Sequence, residues 1–164
     1  MVKPLVAISS GDPCGIGPEV TLKALRHPSV RRALTPLVFG DASLAKELPA
    51  TQLRVVSQLP RADRRPGLPT RAAGLAQYAY FRAAIGAALS GEAQAICTAP
   101  VNKEQISRAG VKFMGHTEVL AEAFGCRVLM LMDGPRLKVA LATNHLPLKD
   151  VPGALDMEIG RAHV

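Results

Sequence analysis

The chain has 164 residues, of which 48% are hydrophobic, 20% are charged and 4% are aromatic, and its formal net charge at pH 7 is +7. This balance excludes an intrinsically disordered tail, a collagen-like repeat and a disulfide-rich scaffold. No uninterrupted apolar run reaches about 18 residues, so the sequence predicts no membrane-spanning helix. The first residues lack the apolar segment and the cleavage site of a signal peptide, which predicts a cytoplasmic protein.

The positive charge raises the question of a nucleic-acid partner. Three arginines, Arg61, Arg64 and Arg65, lie in one Pro-rich stretch. Tryptophan is absent and aromatic residues are few, so side chains on which bases could stack are scarce. We therefore expect the arginines to form a solvated surface and expect no nucleic-acid partner. A basic nucleic-acid module, whose affinity would fall steeply with salt, remains as an alternative.

The first half of the chain alternates predicted strands with predicted helices. Residues 5–9 form a short apolar run that is typical of a buried strand. A Gly- and Pro-rich loop over 10–17 follows, and Pro18 is well placed to begin a helix that Pro28 stops. The remaining predicted elements are strands at 37–40 and 53–57, a helix at 42–48 and an exposed loop at 58–70.

The second half begins with a long predicted helix over 71–90. Its apolar residues recur at spacings of three and four: Leu75, Tyr78, Phe81, Ile85 and Leu89. After it come a buried strand at 95–99, a helix at 103–109 capped by Asn102, a helix at 117–124 capped by Thr117, and strands at 127–132 and 137–143. The pattern predicts an α/β fold with alternating strands and helices around a largely parallel sheet. The short connection between the last two strands favours an antiparallel pair.

Three polar loops follow predicted strand ends, which is the edge where open α/β sheets bind ligands. The first, residues 11–18, has three glycines and precedes a helix N-terminus, an arrangement that favours an anion. Its spacing matches neither a G-x-G-x-x-G fingerprint nor a Walker A loop. From spacing alone, a tight strand-to-helix turn explains this loop at least as well.

The other loops contribute single reactive side chains. Lys103 ends the second loop, although a lone lysine in such a place is usually solvated. His145 follows the last strand, where a neutral imidazole can bind a metal ion, although a hydrogen-bonded structural histidine is the commoner case. His116 lies between these loops without a local structural explanation, whereas Thr117 beside it has one as a helix cap. These residues alone do not name a reaction.

Four ordered segments carry a family resemblance. They lie at residues 11–19, 98–103, 109–118 and 140–148. In this order they closely resemble the motifs of the PdxA family of 4-hydroxythreonine-4-phosphate dehydrogenases, and the resemblance covers residues 4 to 155 of the chain. Four motifs in order are far more specific than any one of them. The resemblance implies part of a two-domain fold like that of isocitrate and isopropylmalate dehydrogenases.

The resemblance also implies a reaction. In the family, NAD oxidises 4-(phosphooxy)-L-threonine to 2-amino-3-oxo-4-(phosphooxy)butanoate, which loses carbon dioxide to give 3-amino-2-oxopropyl phosphate for pyridoxal 5′-phosphate synthesis. The implied cofactors are NAD and a divalent metal ion, either Zn, Mg or Co, which would polarise the forming ketone. The implied partner is a second subunit in a homodimer. Two alternatives remain open: a relative that acts on a phosphorylated threonate or erythronate, and an inactive truncated chain.

Site residues follow from the resemblance position by position. His116 and Thr117 match substrate-binding positions, and His145 matches one of three metal-binding histidines. Lys103 is a tentative catalytic residue without an assigned step. The residues that match the active-site loops are Asp12, Gly15, Gly17 and Asn102.

The chain boundaries also carry an expectation. Family members are about twice as long, so we expect residues 1–157 to be the N-terminal portion of a PdxA-like dehydrogenase. The remaining metal histidines and most of the NAD site would then belong to the other half. Residues 158–164 are expected to be a non-native tail, because they read like a translated sequencing adapter. A divergent natural terminus is the alternative.

Overall fold

The computed structural model of the protein describes residues 2–143 and 145–155. The chain divides into two compact units, Met1–Phe124 and Gly125–Val164. Asn144, which lies in the fourth motif, and the expected tail at 158–164 are outside the described residues.

A four-stranded sheet forms the centre of the first unit. Its strands are β1 (Leu5–Ser9), β2 (Thr35–Asp41), β3 (Leu53–Ser57) and β4 (Ala95–Thr98). They are all parallel and lie in the order β3-β2-β1-β4. The predicted α/β class and the largely parallel sheet are therefore confirmed.

Among the described residues, the first unit also contains five α-helices. They are α1 (Gly17–Arg26), α2 (Pro28–Ala33), α3 (Arg71–Leu89), α4 (Lys103–Arg108) and α5 (His116–Phe124). Shorter 3₁₀ turns lie at Ala42–Lys46, Ala50–Gln52 and Arg61–Arg64.

Two predicted helices differ in detail from the structure. Pro28 does not only stop α1: it also begins α2, since proline fits the first turn of a helix, where its missing N–H is not needed. The helix predicted at 42–48 is instead a 3₁₀ turn at Ala42–Lys46. The Asp41 side chain accepts a hydrogen bond from the Ser43 N–H at 2.9 Å and so holds the start of this turn.

Helix α3 is the main packing element of the first unit. Its Tyr80 and Ala84 pack on one face of the sheet against Ala7, Leu37 and Phe39. Its Phe81 and Ile85 form a separate cluster with Ile106, Phe113 and Val119 of the following segments. The helix therefore contacts neighbours on two sides.

The predicted apolar stripe of α3 is accordingly wrong at both ends. Leu75 is 45% exposed and Leu89 is 54% exposed, whereas Gln77 and Tyr80, outside that stripe, are fully buried. A helix that is covered on two sides buries an arc wider than one stripe, so spacing alone cannot identify its buried residues.

The opposite face of the sheet is covered by α1 and by Leu44 of the first 3₁₀ turn, with Leu34, which follows α2, at its border. Val6, Ile8 and Val38 form a second buried cluster there, with Leu22 and Leu25 of α1 packed against it. The central strands β1 and β2 thus have both faces covered, as is usual in parallel sheets.

Strand β4 departs from its prediction as a fully buried strand. Its residues are exposed or half-buried. Among the described residues it pairs only with β1, so its other edge is open.

The second unit contains an antiparallel pair, β5 (Met130–Asp133) with β6 (Lys138–Leu141), as the short connection predicted. Both strands are shorter than the ranges expected from the sequence. A 3₁₀ turn at Leu148–Asp150 and a short helix α6 (Val151–Ala154) follow. Within residues 2–143 and 145–155, no helix has the length and apolarity that crossing a membrane requires.

Candidate functional site

The first and second loops meet at the carboxyl edge of the sheet. Strand β1 is paired with β2 on one side and with β4 on the other, so the strand order changes direction there. Such a switch point is where open α/β sheets usually bind ligands. The Asp12 N–H donates to the Pro100 carbonyl at 2.9 Å, and the Ala99 N–H donates to the Ser9 carbonyl at 3.0 Å.

Glycine is required where these loops approach each other. Gly11 has a φ of +74°, and a Cβ there would collide with the Pro100 carbonyl oxygen. A Cβ on Gly17 would collide with the Ser10 carbonyl oxygen. The Gly17 contact lies within the first loop, as a tight strand-to-helix turn requires, whereas the Gly11 contact joins the first loop to the second.

The same close approach forms an open cleft of about 370 Å³ between the loops, which Asp12, Gly15, Asn102 and Lys103 help to line. Asp12 is 7% exposed, and its Oδ1 accepts a hydrogen bond from the Cys14 N–H at 2.9 Å. Burial raises the pKa of the Asp12 carboxyl above its ordinary value, although the Cys14 N–H bond acts in the opposite direction. The Asp12 carboxyl group, whose pKa is raised, and the Lys103 amine thus line the same cleft.

Asn102 fixes the beginning of α4. Its Oδ1 accepts the Gln105 N–H at 3.0 Å, which confirms the predicted N-cap. Its backbone N–H donates to Oε1 of Gln77 at 2.7 Å. Because Lys103 is the first residue of α4, these two bonds determine where the lysine side chain starts.

His116 is the first residue of α5 and packs against two aromatic rings. Its ring centroid lies 4.7 Å from that of Phe81 and 5.6 Å from that of Phe113, both edge to face. Its Nε2 is buried and has no hydrogen-bond partner among the described residues. The predicted capping role of Thr117 is wrong, because the Gly115 carbonyl accepts the Val119 N–H and Thr117 already lies in the first turn.

The second and third motifs come together around His116. The Lys103 Nζ lies 3.5 Å from the point where a Cβ on Gly115 would stand. Burial lowers the pKa of the His116 imidazole, the nearby Lys103 ammonium lowers it further, and Glu118 acts in the opposite direction. The lowered pKa favours the neutral imidazole, which can hydrogen-bond a ligand without contributing charge.

His145 lies in the second unit, after β6, and its side chain is exposed. Its φ of +57° is in the left-handed region, which is uncommon for a residue other than glycine. Within residues 2–143 and 145–155, no three His, Cys, Asp or Glu side chains are grouped so that they could hold a metal ion. The described residues thus bring Asp12, Asn102 and Lys103 together and place His116 near Lys103.

Sequence reasoning missed two buried polar residues at this edge. Gln77 is fully buried on α3, and a polar side chain among mostly apolar helix residues was the available signal. Asp41, at the end of β2, accepts hydrogen bonds from the Ser57 hydroxyl at 2.9 Å and the Leu59 N–H at 2.7 Å. Burial raises the pKa of Asp41, but the bonds from Leu59, Ser43 and Ser57 together outweigh it and lower the pKa below its ordinary value.

Comparison with known proteins gives consistent matches over nearly the whole chain. The family model described as "Pyridoxal phosphate biosynthetic protein PdxA" matches residues 18–162. A 4-hydroxythreonine-4-phosphate dehydrogenase from Trichlorobacter lovleyi is 38% identical over 95% of this chain and 54% of its own length. A D-threonate 4-phosphate dehydrogenase from Cupriavidus necator is 36% identical over 98% of this chain and 56% of its own length.

A crystal structure of a 4-hydroxythreonine-4-phosphate dehydrogenase from Burkholderia phymatum has the same fold over the matched part. It superposes with a TM-score of 0.80 at 31% identity and covers 99% of this chain and 58% of that one. The chain therefore spans about half the length of the curated relatives and of the solved structure that it matches.

Proposed function

The chain belongs to the PdxA family, whose fold is like that of isocitrate dehydrogenase, and we propose that it is the N-terminal portion of an NAD- and metal-dependent 4-hydroxythreonine-4-phosphate dehydrogenase. The proposed reaction is the oxidation of 4-(phosphooxy)-L-threonine to its 3-oxo acid, which then decarboxylates in the route to pyridoxal 5′-phosphate. The proposed setting is a cytoplasmic homodimer that binds a small phosphorylated substrate.

The observation that carries the proposal is the meeting of three sequence motifs at one sheet edge. The Asp12 N–H contacts the Pro100 carbonyl, which joins the first motif to the second. The Lys103 Nζ lies 3.5 Å from the position that a Cβ on Gly115 would take, which brings the second motif next to the third. Motifs that are far apart in the sequence but adjacent in the fold are expected of a binding site at a switch point.

The side chains at this edge suit an anionic, hydroxyl-bearing substrate. The Lys103 ammonium can attract a phosphate or carboxylate group, as a point charge that needs no fixed geometry. The neutral His116 can hydrogen-bond a hydroxyl or an anionic oxygen through Nε2, which has no partner among the described residues. When bound, NAD would accept the hydride from the substrate carbon that bears the alcohol, and the alcohol proton would pass to a base.

The proposed metal ion needs more ligands than the described residues provide. His145 supplies one imidazole, whereas a catalytic zinc site usually has three protein ligands. We therefore assign His145 as one ligand of a site that other residues of the longer protein or of a partner subunit would complete.

NADH formation, followed by absorbance, tests the reaction. The chain alone and the longer protein that contains it are each incubated with NAD, magnesium or zinc, and 4-(phosphooxy)-L-threonine. We expect turnover from the longer protein and little from the 164-residue chain, which lacks about half the length of its relatives. If the longer protein gives no NADH with this substrate under either metal, the proposed activity is wrong.

The Cupriavidus necator relative supports a second candidate reaction, the oxidation of D-threonate 4-phosphate. The two substrates differ at C2, where one carries an amine and the other a hydroxyl. The contacts of Asp12, Lys103 and His116 do not distinguish these two groups. Parallel assays decide: activity confined to the acid without an amine would replace the first candidate with the second.

Two histidine variants of the longer protein test the assigned roles. We expect His145→Ala to lower metal affinity by on the order of 10-fold or more, by comparison with the loss of outer-shell partners, and to abolish metal-dependent turnover. We expect His116→Ala to weaken substrate binding or the chemical step while metal content stays near that of the wild type. Metal analysis with steady-state kinetics measures both. Full metal and full activity in His145→Ala would return His145 to a structural role.

A further inference from the structure

Helix α3 touches both halves of the site through side chains one helical turn apart. Gln77 Oε1 accepts the Asn102 N–H at 2.7 Å, immediately before Lys103. Phe81, four residues later on the same face of the helix, packs edge to face on the His116 ring at 4.7 Å. Both side chains are buried, at 0% and 1% exposure. A single rigid element therefore holds the start of α4 and the start of α5.

The interface between α3 and α4 leaves little freedom for this arrangement. Gly74, one turn before Gln77, lies so close to the Gln105 carbonyl that an added Cβ would be 2.5 Å from its oxygen. Gln105 in turn donates its N–H to the Asn102 cap. The backbone of α4 is thus fixed against α3 at two successive turns.

We propose that Gln77 and Phe81 are positioning residues that set the placement of the Lys103 amine relative to the His116 imidazole. Gln77 acts through the backbone of Asn102, and Phe81 acts by direct contact with the imidazole ring. Neither residue needs to touch the substrate. The inference rests on the proposed function only in treating Lys103 and His116 as site residues.

The protonation of His116 gives a direct readout of this placement. The charged groups that act on His116 are Lys103 from α4 and Glu118 from its own helix, while Phe81 and Phe113 supply apolar contact. Burial is the larger cause of the lowered His116 pKa, and the Lys103 charge is the smaller one. Phe81 would control the burial, and Gln77 would control the position of the Lys103 charge. A change that only loosened a distant part of the fold would not act through Lys103.

The test is an NMR pH titration of the His116 ring in the isotope-labelled 164-residue chain. We expect Phe81→Leu to raise the pKa of His116 by uncovering the ring. We expect Gln77→Met, which keeps the volume but removes the acceptor, to raise it by releasing Lys103. The Asn102 amide should also exchange with solvent about 5-fold to 10-fold faster in Gln77→Met, because its hydrogen bond is lost. Leu75→Ala, an exposed position on α3, is the matched control and should change neither quantity.

A double-mutant cycle with Lys103→Met decides whether Gln77 acts through the lysine. We expect Gln77→Met to shift the His116 titration in the wild-type background and to have no further effect in the Lys103→Met background. An equal shift in both backgrounds, or none in either, would overturn the role of Gln77. An unshifted titration in Phe81→Leu would overturn the role of Phe81. If this variant fails to fold, Phe81→Met, which also removes the ring, replaces it, and an unshifted titration there has the same meaning. The titration requires no turnover, so its result is independent of whether the proposed dehydrogenase activity is found.

Discussion

Replacing Gly11 with alanine tests the contact that joins the two site loops, and the chain provides a matched control. Gly11 and Gly67 have nearly equal φ angles of +74° and +75°. A Cβ on Gly67 would meet nothing within 4 Å, whereas a Cβ on Gly11 would collide with the Pro100 carbonyl oxygen and lie 3.1 Å from the Ala99 carbonyl carbon. The backbone strain is therefore shared, and the difference between the two variants measures the loop contact.

The magnitudes follow from these contacts. Gly67→Ala should cost only the left-handed backbone, about 1–2 kcal/mol of unfolding free energy. Gly11→Ala should add overpacking of about 1–3 kcal/mol and the loss of the Asp12–Pro100 hydrogen bond, about 0.5–1.5 kcal/mol. We expect a total of about 2.5–6.5 kcal/mol for Gly11→Ala, which is a large part of the stability of an ordinary domain.

Urea unfolding followed by circular dichroism measures both variants against the wild type. The m-value should remain constant, so that the shift in midpoint reports stability alone. A Gly11→Ala variant within about 1 kcal/mol of Gly67→Ala would show that loop contact contributes no more than a typical hydrogen bond. That result would refute the inference that the first loop packs tightly against Pro100.

Three further predictions concern the packing and polar contacts of the first unit. Asp41→Asn should lower the unfolding free energy by about 1.5–3 kcal/mol, because one amide oxygen cannot replace both carboxylate oxygens. Since the folded-state pKa of Asp41 is lowered, the wild type should lose this stabilisation as pH falls from about 4, the unfolded value, through the folded pKa. A difference in stability between wild type and variant that grows in acid would contradict this prediction. Ile106→Ala, at a fully buried site, should cost about 2–5 kcal/mol, against about 0.5 kcal/mol or less for the exposed Leu89→Ala, both measured by urea unfolding. Asn102→Ala should cost about 1 kcal/mol by removing the α4 cap, and unchanged thermal unfolding would contradict that role.

Local signals in the sequence predicted much of the sheet. Strands β1 and β3 have the predicted bounds because each is short and ends at polar or turn-forming residues. The Asn102 cap was also predictable, since capping depends on residues within one turn. Features that are determined over a few residues were therefore accessible without the structure.

Contacts between distant segments were not accessible in this way. The pattern of α3 placed Leu75 and Leu89 on the buried side, because spacing carries no information about how many neighbours cover a helix. Gln77 meets Asn102 across 25 residues of sequence, and no local rule predicts that partner. The proximity of Lys103 to Gly115 likewise depends on how α4 and α5 pack. The family resemblance identified candidate site residues, but the residues that pack against them could be identified only from the structure.

The pairing of β1 with β4 has a consequence for the order in which the protein acquires its site. The Leu5 N–H donates to the Gln94 side chain across 89 residues, and Val6 lies opposite Ala95 in the sheet. Long-range parallel pairing of this kind forms slowly, because a large loop must close before the contact stabilises anything. During synthesis, Gly11 and Asp12 leave the ribosome long before Pro100, whose carbonyl accepts the Asp12 N–H, is added to the chain. The first loop therefore lacks its contact with the second loop until more than half of this chain has been synthesised.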